Sequence, residues 1–380
     1  MKALHLLQVF VQHLRDFLSE WLWGKPSTLS MARGLCIWGV VAIHFTGGRI
    51  GIDPNAEQTF TRLLYLGVNQ WFQFVVPCFV FFSGYALAAK PVAWPAGIGP
   101  FYWRRASAVL GAYACFVVAY LGFEVPPSEI AAKGGDVLSL AIWVCYYGMD
   151  THGYFVPLIM QLYLIHPLIS QWNVAIERSG KAPWLQWGGL GACVALLVVL
   201  AYLVYDCGAL SLRDVRPCGL YYLAYFCLGV RWRAWSPWLE RHRALAFGLG
   251  LMGFAMQFLA WGDEMRVLVA MPADAQLSEI QWGYFHPRAI VQAFGTCLGF
   301  GALFVLWPTL RLPLVQSWGS HSLGIFLWHG FVLWAWVLGI RNPFGSVPTS
   351  PVALWVPVAV CTLIAGASIG LRAALQRLHR

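Results

Sequence analysis

The sequence predicts an all-α polytopic membrane protein, a bundle of about ten transmembrane helices with both termini in the cytoplasm. Hydrophobic residues make up 59% of the chain, charged residues only 11%, and the mean hydropathy is +0.63. Soluble domains carry about 25% charged residues. Apolar runs repeatedly reach the roughly 17 to 25 residues that a helix needs to cross a bilayer. Gly and Pro separate these runs and leave only short loops, so we expect no soluble domain.

The apolar runs define the predicted spans in chain order. They lie near residues 29–46, 61–89, 106–122, 153–172, 185–205, 218–230, 244–260, 288–307, 318–338 and 351–372. One further apolar run, 137–147, is 11 residues long. It is shorter than a normal span and is typical of a re-entrant or interfacial segment, so we expect that it does not cross.

Basic residues predict the orientation of the spans. With the N-terminus in the cytoplasm, 16 Lys and Arg residues fall in cytoplasmic segments and 6 on the opposite side, as the positive-inside rule requires. Counting 137–147 as a crossing would invert one half of the chain against the other. The net charge of +9 is therefore a signal of sidedness, and it gives no separate support for nucleic-acid binding.

One membrane domain with two short flanks is the predicted organisation. Apolar residues at three- and four-residue spacing indicate that 1–28 is an amphipathic helix on the cytoplasmic membrane surface. The membrane domain covers 29–373, and 374–380 is a short basic cytoplasmic tail. Cys207 and Cys218 bracket one outer loop, and the sequence leaves open whether they form a disulfide.

Two ionisable residues, Arg33 and His44, lie within the first span. They are eleven positions apart, so at 100° per residue their side chains fall within about 20° of one helix face and about 16 Å apart along the axis. Each alone has an ordinary structural explanation. An Arg at the cytoplasmic edge can reach lipid phosphate, and a His near the other edge can be an interfacial side chain. The pair at this spacing favours a functional site.

Four segments carry a family resemblance. The segment RGLCIWGVVAIHF (33–45) resembles the Arg-x10-His signature of the acyltransferase-3 family of integral membrane O-acyltransferases. FVVPCFVFFSGYAL (74–87) is similar to the family's Phe-rich run that ends in Ser-Gly-Phe/Tyr. THGYFVPLIMQLYLIHPLI (151–169) and WGSHSLGIFLWHGFVL (318–333) resemble two later blocks in the family's order. The match is to the stand-alone form, without an appended periplasmic domain.

The resemblance implies a membrane O-acyltransferase. The family moves an acyl group, commonly acetyl, from cytoplasmic acyl-CoA to a sugar hydroxyl of an exported, cell-surface or lipid-linked glycan. We therefore expect acyl-CoA, with acetyl-CoA as the first choice, as the donor substrate and a polysaccharide or lipid-linked glycan as the acceptor. Membrane lipid and glycan-export machinery are further expected partners, and the expected location is the bacterial inner membrane. No metal is expected, because no Cys/His ligand spacing is present.

The resemblance also assigns residues to the donor. Arg33 is expected to bind the CoA phosphates, and His44 is expected to act as general base or acyl relay. The other residues expected at the donor lie near the cytoplasmic ends of the second and third spans: Ser83, Gly84, Tyr85, Arg104 and Arg105. Many relatives have Arg-x-x-Arg where this chain has adjacent arginines, which leaves open which arginine takes the role.

The acceptor is expected at the outer ends of the spans. His152 is a candidate for assisting proton transfer, and Tyr154 for acceptor binding, against the alternative of an interfacial aromatic anchor. His286, Arg288 and His329 are further candidates for substrate binding, with structural roles as the alternative.

Two other classes of function fit part of the pattern. In a transporter of glycans or lipid-linked oligosaccharides, Arg33 and His44 would line a permeation path without covalent chemistry. In a membrane sensor, the buried histidines would respond to pH. No convincing internal repeat supports the transporter, and no Gly-x-Ser-x-Gly elbow supports a hydrolase.

Overall fold

The computed structural model describes residues 27–50, 60–126, 136–179, 183–271, 286–344 and 351–378, with the single positions 128 and 130. These ranges form α-helices joined by short turns. The helices are α1 (Thr28–Ile50), α2 (Phe60–Trp71), α3 (Val75–Leu87), α4 (Ile98–Phe123), α5 (Val137–Cys145), α6 (Phe155–Ser179), α7 (Pro183–Tyr205), α8 (Leu212–Val215), α9 (Leu223–Arg241), α10 (Arg243–Ala270), α11 (Pro287–Leu306), α12 (Pro313–Ser320), α13 (Ser322–Phe344) and α14 (Val356–Leu378). Short 3-10 turns lie at Gly148–Asp150, His152–Tyr154, Gly219–Tyr222 and Pro351–Trp355.

Within the described ranges, 8 helical segments are long and apolar enough to cross a membrane. They confirm the predicted polytopic helical membrane protein, and each coincides with one of the predicted spans. The predicted span at 218–230 falls on the start of α9, which carries Arg231 and Arg233. The predicted span at 318–338 crosses the break between α12 and α13. The total of ten spans and the cytoplasmic location of both termini stay predictions.

The apolar run at 137–147 forms the nine-residue helix α5. At a rise of 1.5 Å per residue this helix is about 14 Å long, half of the roughly 30 Å hydrocarbon core. Asp136 caps its first turn by accepting a hydrogen bond from the backbone N–H of Ser139 at 2.7 Å. Val137 and Leu138 are exposed. The helix is too short to cross, as the sequence predicts.

The described chain divides into two compact units. The first contains the described residues up to Phe72 and from Ala302 onward. In this unit α1 is central and packs against α2, α12, α13 and α14. Its contact with α12 is the closest. A Cβ on Gly34 would overlap the carbonyl of Val315, and a Cβ on Gly319 would overlap the carbonyl of Ser30. Small residues permit such backbone contact between membrane helices.

The second unit comprises Gln73–Gly301. Its centre is the packing of α3 against α9. A Cβ on Gly84 would overlap the carbonyl of Phe226, and a Cβ on Gly229 would overlap the carbonyl of Phe81. Buried aromatic side chains fill the space around this contact: Phe81, Phe82, Tyr225, Phe226 and Trp232.

Three sequence expectations concern the flanks and one loop. The predicted amphipathic helix over 1–28 lies, apart from its last two residues, outside the described residues. Within the predicted tail over 374–380, the described residues continue α14 as far as Leu378. Cys207 and Cys218 are free thiols in this structure.

Candidate active site

The first unit brings together two histidines that the sequence places at opposite ends of the chain. His44 lies on α1 and His329 on α13, and their ring centroids are 5.0 Å apart at an interplanar angle of 45°. This distance is typical of rings in direct contact. The side chain of His44 is exposed, whereas that of His329 is fully buried. The pair therefore joins an accessible imidazole to a buried one.

Hydrogen bonding fixes the tautomer of His329. Its Nδ1 lies 2.7 Å from the carbonyl oxygen of Phe326 and 3.1 Å from that of Ile325. A carbonyl oxygen only accepts, so Nδ1 carries the proton. In the neutral imidazole, Nε2 is then the acceptor. His329 can therefore accept a hydrogen bond or a proton from a neighbouring donor.

Asn69 on α2 clamps the helical turn that carries His44. Its Nδ2 donates to the carbonyl of Ile43 at 2.9 Å and to Oγ1 of Thr46 at 3.2 Å. Thr46 in turn donates to the carbonyl of Ala42 at 2.7 Å. Asn69 and Thr46 are both buried. The clamp ties α2 to the turn of α1 at Ile43, before His44, and at Thr46, after it.

Arg33 lies on the same helix, eleven positions before His44, and its side chain is half-exposed. The continuous helix between them places the two residues about 16 Å apart along its axis. The close packing of α12 on α1 at Gly34 lies next to Arg33. Arg33 and His44 therefore lie along one stripe of a continuous helix, and α12 and α2 pack against that helix near the two residues.

The Ser83–Tyr85 segment lies at the end of α3 in the second unit. Ser83 donates back to the carbonyl of Phe79 at 2.9 Å. Helix α9 occupies the space beside Gly84, so packing accounts for the glycine at this position. The hydroxyl of Tyr85 accepts a hydrogen bond from Arg233 at 3.1 Å, and the guanidinium of Arg233 lies 5.2 Å from the Tyr85 ring centroid. The donor role predicted for this segment stays a prediction.

Arg104 and Arg105 are exposed on the first turns of α4. The guanidinium of Arg105 lies 5.8 Å from the ring centroid of Phe101 and 5.9 Å from that of Tyr163. Both distances are within the range of cation–π attraction. Of the two adjacent arginines, Arg105 is thus the one held against aromatic rings.

His152 and Tyr154 form part of a 3-10 turn that leads into α6. His152 is half-buried, and its ring centroid lies 5.3 Å from that of Phe116. Tyr154 is buried, and the guanidinium of Arg216 lies 5.7 Å from its ring centroid. Both predicted residues therefore face aromatic or cationic partners of the same unit.

His286 and Arg288 belong to an ionic cluster between α10 and α11. Arg288 donates from Nε to Asp263 at 2.5 Å and from Nη1 to Glu264 at 3.2 Å. His286 Nδ1 lies 3.5 Å from Glu264, and its ring contacts Tyr205 at 4.7 Å. The carboxylates of Asp263 and Glu264 are both bound by Arg288. The cluster is therefore an ionic network that joins the end of α10 to the start of α11. A substrate-binding role for it stays a prediction.

Comparison with protein families identifies the chain. The family model described as the acyltransferase domain, acyltransferase-3, matches residues 28–370. The chain belongs to the acyltransferase-3 family. This acyltransferase is therefore an enzyme. The roles of Arg33 and His44 in it stay predictions. Comparison with curated proteins and with solved structures finds no match in either.

Reasoning from the sequence missed three residues of the acyltransferase that the structure places beside predicted ones. Asn69 clamps the turn of His44, Arg233 binds Tyr85, and Arg216 lies over Tyr154. A polar dipeptide, Asn69 and Gln70, inside an apolar run was the available signal for the first. The arginines had no such signal, because they look like ordinary loop and helix-end charges.

Proposed function

We propose that this acyltransferase moves an acyl group, with acetyl as the first choice, from cytoplasmic acyl-CoA to a sugar hydroxyl of an exported, cell-surface or lipid-linked glycan. The observation that carries the proposal is the contact between the His44 and His329 rings, one exposed and one buried. Membership of the family supports acyl transfer. The CoA donor, the sugar acceptor and the bacterial inner membrane belong to the proposal.

His44 is the general base of the proposed reaction. The acceptor hydroxyl loses its proton to His44 as its oxygen attacks the thioester carbonyl carbon. The C–S bond then breaks, and the thiolate of CoA takes the proton back from the imidazolium. The products are the O-acyl ester and CoA with a free thiol. An imidazole suits both transfers because it titrates near neutral pH.

His329 packs against the ring of His44, positions it and can accept a hydrogen bond from it. Its Nδ1–H is committed to two backbone carbonyls, so the ring orientation is fixed and Nε2 is the nitrogen of acceptor character. A fixed acceptor next to a base orients the base for proton transfer, as the third group of a catalytic triad does. Asn69 contributes by holding the backbone of the same turn.

Arg33 holds the other end of the donor. A guanidinium offers a planar fork of charged donors that suits phosphate oxygens. The predicted sidedness puts Arg33 near the cytoplasmic end of α1 and His44 toward the outer end. The roughly 16 Å between them is of the same order as the reach of an extended pantetheine arm. One helix thus supports binding of the phosphates and reaction of the thioester.

The experiment is an acyl-transfer assay with purified full-length protein in liposomes. Acetyl-CoA labelled in the acetyl group is supplied with an O-deacetylated bacterial exopolysaccharide, and the label on the polysaccharide is counted. We expect His44→Ala to abolish labelling while binding of acetyl-CoA persists. His242→Ala is the matched control, since His242 is an exposed histidine at the end of α9.

Labelling that survives unchanged in His44→Ala would remove His44 from the mechanism. Equal loss in His242→Ala would show a general effect of losing a histidine. Transfer of the label to water or lipid but not to the polysaccharide would overturn the glycan as acceptor while leaving acyl transfer in place.

A further inference from the structure

A cleft of about 420 Å³ lies in the second unit, between two loops. One wall is the segment 147–154, which leads into α6. The other wall is the segment 212–217, which leads from α8 toward α9. The predicted acceptor residue Tyr154 lines the cleft. By the predicted sidedness both loops lie on the outer face, where an exported glycan would arrive.

The first wall has a backbone conformation that unconstrained residues avoid. Gly148, Met149 and Asp150 are all left-handed, with φ of 57°, 60° and 58°. Each non-glycine residue in this region costs on the order of 1 kcal/mol or more. The turn is held by its surroundings, since the Thr151 hydroxyl donates to the Gly148 carbonyl at 2.8 Å. Strained backbone of this kind is concentrated at functional sites.

The strained turn presents Asp150 to two donors. Arg213, from the second wall, donates to both carboxylate oxygens of Asp150, at 2.7 Å and 3.0 Å. The indole N–H of Trp143 donates to the same carboxylate at 2.9 Å. Arg213 also lies 4.4 Å from the ring centroid of Tyr147. Its charge is therefore neutralised within the cleft wall.

Two tyrosines join the walls of the cleft by hydrogen bonds. The Tyr147 hydroxyl donates to the carboxylate of Asp214 at 2.7 Å, and the Tyr146 hydroxyl donates to the Asp214 carbonyl at 2.9 Å. Hydrogen bonds from the hydroxyls of Ser211 and Tyr147 hold the pKa of Asp214 below its ordinary value. Asp214 is thus an anion that accepts hydrogen bonds from the opposite wall. These bonds join the two walls of the cleft.

Arg216 is the second arginine of the cleft, and its situation differs from that of Arg213. Its guanidinium lies over the ring of Tyr154, at 5.7 Å from the centroid. Its Nε is buried and has no hydrogen-bond partner among the described residues, and no carboxylate of the described residues pairs with it. The side chain as a whole is half-exposed, and a buried N–H without a partner costs free energy.

We propose that this cleft binds an acidic sugar unit of the acceptor, with the anionic group of the sugar on Arg216. The proposal rests on the proposed function, which makes a glycan the acceptor, and names its class. A guanidinium binds a carboxylate or a phosphate through two parallel hydrogen bonds, so either anion fits. Asp150 is already satisfied by Arg213 and Trp143, so the charge offered to a ligand is that of Arg216.

Binding of defined sugars to the full-length protein in detergent, without acyl-CoA, tests this proposal. The probes are trigalacturonic acid, the neutral galactotriose and glucose 1-phosphate, and calorimetry measures each Kd. We expect at least one acidic probe to bind about 10-fold more tightly than the neutral probe. The two acidic probes distinguish a carboxylate from a phosphate. In Arg216→Gln we expect that advantage to vanish, with the Kd for galactotriose changed by less than about twofold.

Two further variants make the test specific. Arg216→Lys keeps the charge and is expected to retain part of the preference for the acidic probe. Arg311→Gln, at an exposed arginine of the first unit, is expected to bind all probes as the wild type does. Equal affinity of the wild type for acidic and neutral probes overturns the proposal, as does an unchanged preference in Arg216→Gln. Because no donor is present, failure here leaves acyl transfer untouched, and failure of acyl transfer leaves this result standing.

Discussion

The imidazole of His44 contacts that of His329 at a centroid distance of 5.0 Å, although the two residues are 285 positions apart in a chain of 380. The family segment that contains His329 begins near Gly319, whose missing side chain makes room for the carbonyl of Ser30. The same segment therefore meets α1 at two places. One lies close to Arg33 and the other lies at His44, so the segment supports both ends of the Arg33 and His44 stripe.

Replacement of His329 by Asn tests whether this contact assists the chemistry. An Asn amide can still donate to the carbonyls of Ile325 and Phe326, but it cannot take a proton. We expect kcat to fall about 100-fold in His329→Asn, within the range that general acid–base groups contribute, while the Kd for acetyl-CoA stays within about twofold. Steady-state kinetics and a separate donor-binding measurement check the two values.

A second histidine serves as the control for this replacement. His321 also donates from Nδ1 to a backbone carbonyl, that of Ser317 at 2.9 Å, and it lies at the end of α12. We expect His321→Asn to leave kcat within about threefold of the wild type. A comparable loss in both variants would assign the effect to the lost imidazole packing and not to proton transfer.

Arg33→Gln tests the site proposed for the donor phosphates. Acetyl-CoA carries these phosphates, whereas S-acetylpantetheine has the same thioester arm without them. We expect KM for acetyl-CoA to rise about 10-fold in Arg33→Gln, because one charge-assisted pair with phosphate is lost. The KM for S-acetylpantetheine should not change. Equal effects on both donors would place Arg33 away from the phosphates, and Arg311→Gln provides the control for loss of an arginine.

Gly34→Ala tests the backbone contact between α1 and α12. The new Cβ would overlap the carbonyl of Val315, which belongs to a helix backbone and cannot move as a flexible side chain can. We expect the melting temperature in detergent to fall by several degrees, consistent with the roughly 1 to 3 kcal/mol typical of overpacking. Gly191→Ala is the control, since open space surrounds that position within α7. A melting temperature for Gly34→Ala at or above that of Gly191→Ala would contradict the contact.

The hydrogen bond from Tyr147 to Asp214 predicts a pH dependence of stability. The pKa of Asp214 is lowered in the folded protein, first by Ser211 and then by Tyr147. Its contribution is therefore fully present above the unfolded pKa of about 3.9 and is lost as the pH falls through the folded value. We expect the wild type to melt at a higher temperature than Tyr147→Phe at neutral pH, and the difference to shrink below about pH 4.

Tyr146→Phe is the matched control for that experiment. The Tyr146 hydroxyl donates to the backbone carbonyl of Asp214, which does not titrate. The difference between the wild type and Tyr146→Phe should therefore stay constant over the same acidic range. A constant difference for Tyr147→Phe as well would show that the Asp214 carboxylate does not control this hydrogen bond.

The sequence predicts the helices and the stripe on α1, because both depend on local periodicity. The spacing of Arg33 and His44 needs only the helical repeat to put them on one face. The contact of His44 with His329 depends on which helices pack side by side, and no repeat within one helix encodes that. Asn69 was missed for the same reason, since its partners, Ile43 and Thr46, lie on another helix. The cleft was missed because Arg216 looks like an ordinary loop charge until Tyr154 and the strained turn lie beside it.

In the left-handed turn at Gly148–Asp150, the position of Met149 has two requirements that favour different residues. The side chain is buried, with 2% exposure, which favours a large apolar residue, yet its φ of 60° favours glycine or asparagine. Leucine preserves the burial and keeps the strain, whereas glycine relieves the strain and leaves a cavity. Valine and isoleucine are apolar and suit the burial, but they suit the backbone least, because β-branched side chains tolerate positive φ least. In a saturation library this buried position should therefore reject the residues that buried positions usually accept.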